Sequence, residues 1–226
     1  MKKHFRRAMG FLVIVALLLT SFQAFATTTG ESGLFSYAMK GNGTLKITKF
    51  DWSRYITNTS IVIPQLIDGY TVTEIGELAF YQEDENNKLI RRYTAGDATL
   101  LIPNTVTTIG EMAFFNSGIG RVKIPASVKT IGTAAFCTGG LKSVTVETEN
   151  ANYASVGNAL YSKKTKELLA GSIEMTAIPE GIVSLGEFAF FDLQYDYKKG
   201  GYFSCPSSLE EINAYSAENA QPNRRN

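Results

Sequence analysis

The stretch Ile102–Phe114 reads IPNTVTTIGEMAF, and the chain of 226 residues repeats it several times. Three further segments match it without gaps: Ile124–Phe136, IPASVKTIGTAAF; Ile178–Phe190, IPEGIVSLGEFAF; and Cys205–Ala217, CPSSLEEINAYSA. A fifth copy, Ile63–Phe80, carries five extra residues after its proline. Because five of the six prolines occupy this one position, the chain is built from internal repeats.

Each copy predicts a short strand that ends at its proline. The residues before the proline alternate, as in Val122 and Ile124, and a period of two is typical of a strand with one buried face. Because proline has no N–H, it cannot continue a central ladder, and we expect every strand to end at the same level. A second apolar pair follows at spacing i, i+3, as in Val106 and Ile109.

A glycine follows this second pair in four copies, and asparagine replaces it in the fifth: Gly76, Gly110, Gly132, Gly186 and Asn213. Asparagine is the residue that best tolerates positive φ after glycine, so the pattern predicts a left-handed backbone at all five positions. The Ala-Phe pair that comes next predicts one short helical turn. Its phenylalanine should fill the core; these residues are Phe80, Phe114, Phe136 and Phe190.

The full pattern, L-x-x-V-x-I-P-x-x-V-x-x-I-G-x-x-A-F, resembles the BspA-like class of leucine-rich repeat, a family of secreted and surface proteins. Clear copies span Ile61–Ala217. The block Phe35–Phe50 resembles the hairpin that often precedes such repeats, and its Gly41-Asn42-Gly43 turn predicts a hairpin independently. The resemblance implies an α/β class fold, a short β-rich leucine-rich-repeat solenoid with a parallel sheet on one face, short helical turns and an N-terminal capping hairpin.

The spacing of the repeats departs from regularity at three places. Proline-to-proline distances of 39, 22, 54 and 27 residues indicate a regular unit of 22. The longest interval holds one regular repeat and a 32-residue variant from Glu147, which predicts a hairpin with its turn at Lys163–Lys166. The other insertions, Tyr81–Thr99 and Phe191–Ser204, leave the repeat just after the Ala-Phe pair. We therefore expect both loops to project from the same edge.

The N-terminal segment differs in kind from the rest of the chain. Four basic residues precede the nine-residue apolar run Phe11–Leu19, and the segment closes on Ala24-Phe25-Ala26. This order is typical of a secretory signal peptide cleaved after Ala26. An uncleaved membrane anchor is the alternative, but spanning a bilayer takes about 20 apolar residues. The expected organisation is a signal peptide at 1–26, a cap hairpin at 27–60, the repeat solenoid at 61–220 and a disordered tail at 221–226.

Composition excludes several classes of function. Without the signal, 18 basic residues face 21 acidic ones, a net charge of −3, which disfavours nucleic acid and anionic membrane as partners. The only histidine, His4, lies in the signal, so histidine-activated nucleophiles are excluded and the commonest transition-metal ligand is missing. We expect no enzyme and no catalytic, cofactor or metal site. Carboxylate pairs can hydrolyse glycosides without histidine, but only a cleft with two acids at suitable separation and a raised pKa would indicate one.

The two cysteines, Cys137 and Cys205, occupy non-equivalent positions of different repeats, so we expect free thiols. Aromatic side chains follow the core phenylalanines at Tyr81, Phe115 and Phe191. We interpret them as secondary packing rather than as a ladder for a partner.

The insertions are the better candidates for partner binding, because tyrosine offers contact area and a polar handle at low entropic cost. The predicted partner-binding residues are Tyr195, Tyr197 and Tyr202 in one loop, and Arg91, Arg92 and Tyr93 in the other.

A secreted binding protein is the function that these features favour. The resemblance implies protein–protein recognition or adhesion at the cell surface, with extracellular, host or neighbour-cell proteins or glycoproteins as partners. No nucleic acid partner and no membrane insertion after signal cleavage are expected, and surface attachment stays open. Two alternatives remain: a secreted carbohydrate-binding or carbohydrate-processing accessory protein, and a purely structural surface protein.

Overall fold

Short β-strands are the regular elements of the chain. The computed structural model describes residues 28–55, 60–81, 98–138, 140–190, 204–213 and 215–216, and within that part of the chain it contains no helix. The strands are β1 (Thr29–Ser32), β2 (Phe35–Lys40), β3 (Thr44–Phe50), β4 (Ser60–Val62), β5 (Leu66–Ile67), β6 (Tyr70–Ile75), β7 (Ala98–Leu101), β8 (Thr108–Ile109), β9 (Ile119–Ile124), β10 (Thr130–Ile131), β11 (Ser143–Val146), β12 (Tyr153–Val156), β13 (Ala159–Ser162), β14 (Glu167–Ala170), β15 (Ser184–Leu185) and β16 (Glu211–Ile212).

The alternating runs before the prolines form a four-stranded sheet in the order β11-β9-β7-β4, and every pair in it is parallel. Val62 pairs with Leu101, and Leu101 pairs with Lys123. This register brings the prolines that follow β4, β7 and β9 to the same level, as predicted, because none of them can extend the ladder.

The second apolar pairs form a parallel ladder of their own, β6-β8-β10. The predicted hairpin is confirmed: β2 and β3 are antiparallel, and β3 joins β6 in parallel, so the hairpin extends this ladder. Leu45, Ile47 and Phe50 of β3 are buried with the repeat residues. The hairpin thus shares the core of the first repeats.

The turn after each ladder strand is not helical, and its glycine is not left-handed. In the regular copy, Ala113 N–H donates to the Gly110 carbonyl at 3.3 Å, which closes a four-residue turn. Positive φ occurs two residues after each glycine or asparagine instead, at Leu78 (53°), Met112 (49°), Ala134 (54°), Phe188 (58°) and Tyr215 (59°). Both predictions about this turn were therefore wrong.

Close backbone approach is the reason for glycine at the start of the turn. A Cβ on Gly110 would lie 2.6 Å from the backbone nitrogen of Glu77 in the preceding copy, and one on Gly132 would collide with Glu111. At Gly110 and Gly132 glycine is needed because the turn lies directly on the backbone of the preceding copy. Asn213 begins the last turn, and its N–H donates a hydrogen bond to the Leu185 carbonyl at 3.1 Å. Nothing in the structure explains how the Cβ of Asn213 is accommodated.

The variant repeat interrupts the ladder. Its predicted hairpin is confirmed, since β13 and β14 are antiparallel around residues 163–166, and β12 adds a further antiparallel strand. The ladder β6-β8-β10 ends at β10, and a separate sheet continues as β12-β13-β14-β15-β16. Tyr153 of β12 closes the end of the first ladder: its hydroxyl accepts the N–H of Ile131 at 2.8 Å.

The predicted core phenylalanines are buried, but they belong to two hydrophobic clusters. Phe80, Phe114 and Phe136 form a column with Phe50, and neighbouring ring centroids in this column are 4.9 to 5.3 Å apart. Phe190 belongs to a second cluster built on β14 and β15. The inserted hairpin lies where the column stops.

Candidate interaction surfaces

The outer face of the four-stranded parallel sheet carries two rows of side chains. Parallel pairing aligns equivalent positions of successive repeats, and alternate residues point outward. The first row is Ser60, Thr99, Arg121 and Ser143, and the second is Val62, Leu101, Lys123 and Thr145. We call these eight residues the sheet face.

Half of the second row is apolar and exposed to solvent. Val62 is 60% exposed and its direct neighbour Leu101 is 43% exposed. The other half is polar: Lys123 forms a salt bridge of 2.9 Å with Glu147. The pKa of Glu147 is lowered, first by the hydrogen bond from Lys123 and then by the N–H of Ala126. The sheet face therefore offers an apolar patch beside an anchored charge pair.

A second surface feature arises because the variant repeat lacks the glycine turn. In the regular copies, the N–H of Gly132 donates to the Ile109 carbonyl, and the N–H of Phe114 donates to the Ala135 carbonyl. At the variant repeat, the equivalent hydrogen bonds run from the N–H of Gly186 to the Leu168 carbonyl and from the N–H of Gly171 to the Ala189 carbonyl. Leu168 and Gly171 thus stand in for Ile109 and Phe114, but they are three residues apart instead of five. The turn between them is two residues short.

The shortened turn leaves a cleft of about 140 Å³ between the two halves of the repeat stack. Residues 131–136 line one wall, and Glu167, Leu169, Gly186 and Glu187 line the other. Gly186 makes room for Glu167, whose Oε1 lies 2.8 Å from the point where a Cβ would stand. Ordinary small-molecule sites measure about 300–1,000 Å³, so this cleft accepts a single side chain rather than a whole metabolite or sugar chain.

The cleft is acidic. Burial raises the pKa of Glu167, and the carboxylates of Glu211 and Glu187 add to the rise. Within the described ranges, neither Glu167 nor Glu187 has a salt-bridge partner. The cleft therefore brings together two carboxyl groups, those of Glu167 and Glu187, and the pKa of Glu167 is raised. The small volume of the cleft sets it apart from the glycoside-hydrolysing pairs considered above.

The predicted partner-binding residues lie outside the described residues: Tyr195, Tyr197, Tyr202, Arg91, Arg92 and Tyr93. The points from which their loops depart are described, and they are equivalent: Phe80 and Phe190 each end a copy of the turn. Beyond the loops the chain returns at Ala98 in β7 and at Ser204, which forms a parallel bridge with Ala177. The six side chains remain predictions.

The cysteines are free, as predicted. Cys137 is buried and its thiol donates to the Phe188 carbonyl at 3.1 Å, which ties the two halves of the stack together next to the cleft. Burial raises the pKa of Cys137 to about 12, so it is no nucleophile at neutral pH. Tyr81 and Phe115 are half-buried with ring centroids 5.9 Å apart, whereas Phe191 lies outside the described residues.

Sequence reasoning did not find the cleft. A sequence feature that marks it was present, because the variant reads LLAGS where a regular copy has I-G-x-x-A-F.

In the described part of the chain, no group of three or more His, Cys, Asp or Glu side chains could hold a metal ion. The same residues include no helix long and apolar enough to cross a membrane.

A sequence profile described as the BspA type leucine-rich repeat region matches residues 92–221, in six copies, which is more than half of the chain. The chain belongs to the BspA-type leucine-rich repeat family. Repeat proteins of this kind generally present surfaces for binding other proteins and are not enzymes. No curated protein sequence matches the chain.

Several solved structures of bacterial leucine-rich repeat proteins are similar to this family member. One from Eubacterium ventriosum has 16% identity and a TM-score of 0.49 over 80% of this chain and 60% of its own. The pneumococcal vaccine antigen PcpA has 17% identity and a TM-score of 0.43 over 86% and 68%. A leucine-rich cell surface protein from Faecalibacterium prausnitzii has 17% identity and a TM-score of 0.37 over 82% and 72%. The chain thus spans less than two thirds of the Eubacterium protein.

Proposed function

We propose that this protein is a secreted leucine-rich-repeat binding protein that recognises or adheres to extracellular or neighbour-cell proteins at the cell surface. The observation that carries the proposal is the sheet face, where Val62 and Leu101 expose adjoining apolar side chains beside the Lys123–Glu147 pair. An apolar centre with a polar border is the usual composition of a protein interface. The basic and apolar N-terminal segment supports export.

In this proposal the repeats form a short solenoid whose parallel sheet is the binding side. The domain boundaries are those expected from the sequence: signal peptide 1–26, cap hairpin 27–60, repeats 61–220 and tail 221–226. The two loops add contacts at the border of the surface through Tyr195, Tyr197 and Tyr202, and through Arg91, Arg92 and Tyr93. Attachment to the cell surface after secretion is part of the proposal.

A charge placed in the apolar patch tests this function. Leu101→Glu should lower the capture of proteins from an extracellular-matrix extract at least tenfold, because a carboxylate would be desolvated at the centre of the interface. The measurement is quantitative pull-down on immobilised purified chain, repeated with each captured protein in pure form. Leu66→Glu is the matched control, since Leu66 is 58% exposed on β5 in another sheet.

Equal capture by Leu101→Glu and wild type would remove the binding site from the sheet face. If capture is lost only in the triple variant Tyr195→Ala, Tyr197→Ala and Tyr202→Ala, the binding site is assigned to that loop instead. Binding to a glycan array without any protein partner would favour the carbohydrate-binding alternative.

A further inference from the structure

The cleft left by the missing turn lies in a row of apolar side chains. The third turn residue of each copy has positive φ, a position where glycine or asparagine costs least. The chain has apolar residues there: Ala134 lines the cleft, and Phe188 directly follows Glu187, which lines it from the other side. Phe188 stacks on Tyr215 with centroids 5.6 Å apart and planes 10° from parallel, and Tyr215 is 62% exposed. Phe188 is thus next to a cleft residue, and Tyr215 lies one copy further from the cleft.

Carboxylates gather at the same place. Glu167 and Glu187 line the cleft, and Glu167 is two strands from Glu211 in register, through Ser184. The carboxylates of Glu211 and Glu187 repel that of Glu167. Among the described residues, no lysine or arginine forms a salt bridge with Glu167 or Glu187. A cation from another molecule would offset this repulsion and would replace the hydration that the Glu167 carboxylate loses on burial.

We propose that the cleft receives one lysine or arginine side chain of a protein partner, with Glu167 and Glu187 as counter-ions and Ala134 and Leu169 packed beside its stem. The cleft volume of about 140 Å³ suits one long side chain. Long basic side chains bury their methylene stems on apolar surface and place the charge at carboxylates. This site deepens the protein-binding function proposed above and rests on it.

The direct test uses two peptides that differ only in charge. Acetyl-Ala-Leu-Arg-Leu-Ala-amide is titrated into ¹⁵N-labelled protein, and the same peptide with citrulline in place of arginine is the neutral control. We expect saturable shifts of backbone signals from residues 131–136, 167–169 and 186–188 with the arginine peptide, and at least tenfold weaker binding of the citrulline peptide.

Variants locate the site. Glu167→Gln combined with Glu187→Gln should weaken the arginine peptide at least tenfold, whereas Glu111→Gln should change its affinity less than twofold. Glu111 is the matched control because it occupies the same turn position as Glu187, in the copy behind the cleft wall of residues 131–136 and not in the wall itself. Thermal unfolding of each variant confirms that loss of binding is not loss of fold.

Three results would overturn the assignment. They are equal binding of the citrulline peptide, an equal loss in Glu111→Gln, and an absence of shifts at the cleft at millimolar arginine peptide. If the double variant still binds the matrix partner and only Leu101→Glu abolishes capture, the proposed function stands and the cleft is not its site.

Discussion

At the residue scale, the turn glycines are explained by the space available and not by positive φ. Asn213 in the last copy pointed to positive φ, but the left-handed residue is two positions further on, at Leu78 or Met112. Gly110 is needed for space, because the backbone of Glu77 lies where its Cβ would be. Sequence offers no direct sign of this contact, since it joins residues of different copies.

Gly110→Ala should therefore destabilise the protein. The added methyl would meet the Glu77 nitrogen at 2.6 Å, and overpacking of this kind costs about 1–3 kcal/mol of unfolding free energy. Urea denaturation measures the change. Gly41→Ala is the control: a Cβ there meets nothing within 4 Å, and its φ is not positive, so we expect a change within about 0.5 kcal/mol. Similar losses in both variants would contradict the steric explanation.

Glu167 should make stability depend on pH in a defined direction. Because its pKa is higher in the folded than in the unfolded protein, the folded state holds the proton more tightly, and ionisation lowers stability as pH rises through the folded pKa. Glu167→Gln should thus be more stable than wild type at pH 7, by less than about 1 kcal/mol because solvent screens the group.

The advantage of Glu167→Gln should vanish below about pH 4, where the carboxyl is protonated in both states. Thermal unfolding from pH 3 to pH 8 measures it. Glu111→Gln serves again as the exposed control. A variant less stable than wild type at pH 7 would show that Glu167 has a stabilising partner.

At the scale of elements, the variant repeat was predicted as a hairpin, and β13 and β14 confirm it. The consequence for the ladder was not predictable. An antiparallel insertion ends the run of parallel strands at β10, and the backbone of Ile131 must find another acceptor. The hydroxyl of Tyr153 takes that role across 22 residues of sequence.

Tyr153→Phe removes the acceptor and keeps the ring. The Ile131 N–H would lose its partner at the boundary of the two sheets, and we expect a loss of about 1–3 kcal/mol in unfolding free energy. Urea denaturation and amide hydrogen exchange at Ile131 measure the effect.

Tyr161→Phe is the matched control, because Tyr161 lies half-buried on the adjacent strand β13, with no hydroxyl hydrogen bond within the described residues. It should change stability by less than about 0.5 kcal/mol. Unchanged exchange at Ile131 in Tyr153→Phe would mean that another group accepts the N–H.

At the scale of the whole molecule, one repeat stack holds two hydrophobic clusters. The phenylalanine column from Phe50 to Phe136 unites the first copies, while Phe190 packs over Gly171, where a side chain would collide with its ring. The Cys137 thiol joins the halves beside the cleft. The binding surfaces follow from this division: the sheet face belongs to the first half, and the cleft lies at the junction.

The repeat period, the strands, both hairpins and the identity of the core phenylalanines could be read from sequence, because each depends on alternation or spacing within about twenty residues. The left-handed turn position, the split core and the acidic cleft depended on the tertiary structure. They arise where one copy lies on the next, and the positions of Glu77 relative to Gly110, or of Glu187 relative to Ala134, exist only after stacking. Local pattern determines the repeats, and contact between repeats determines the surface.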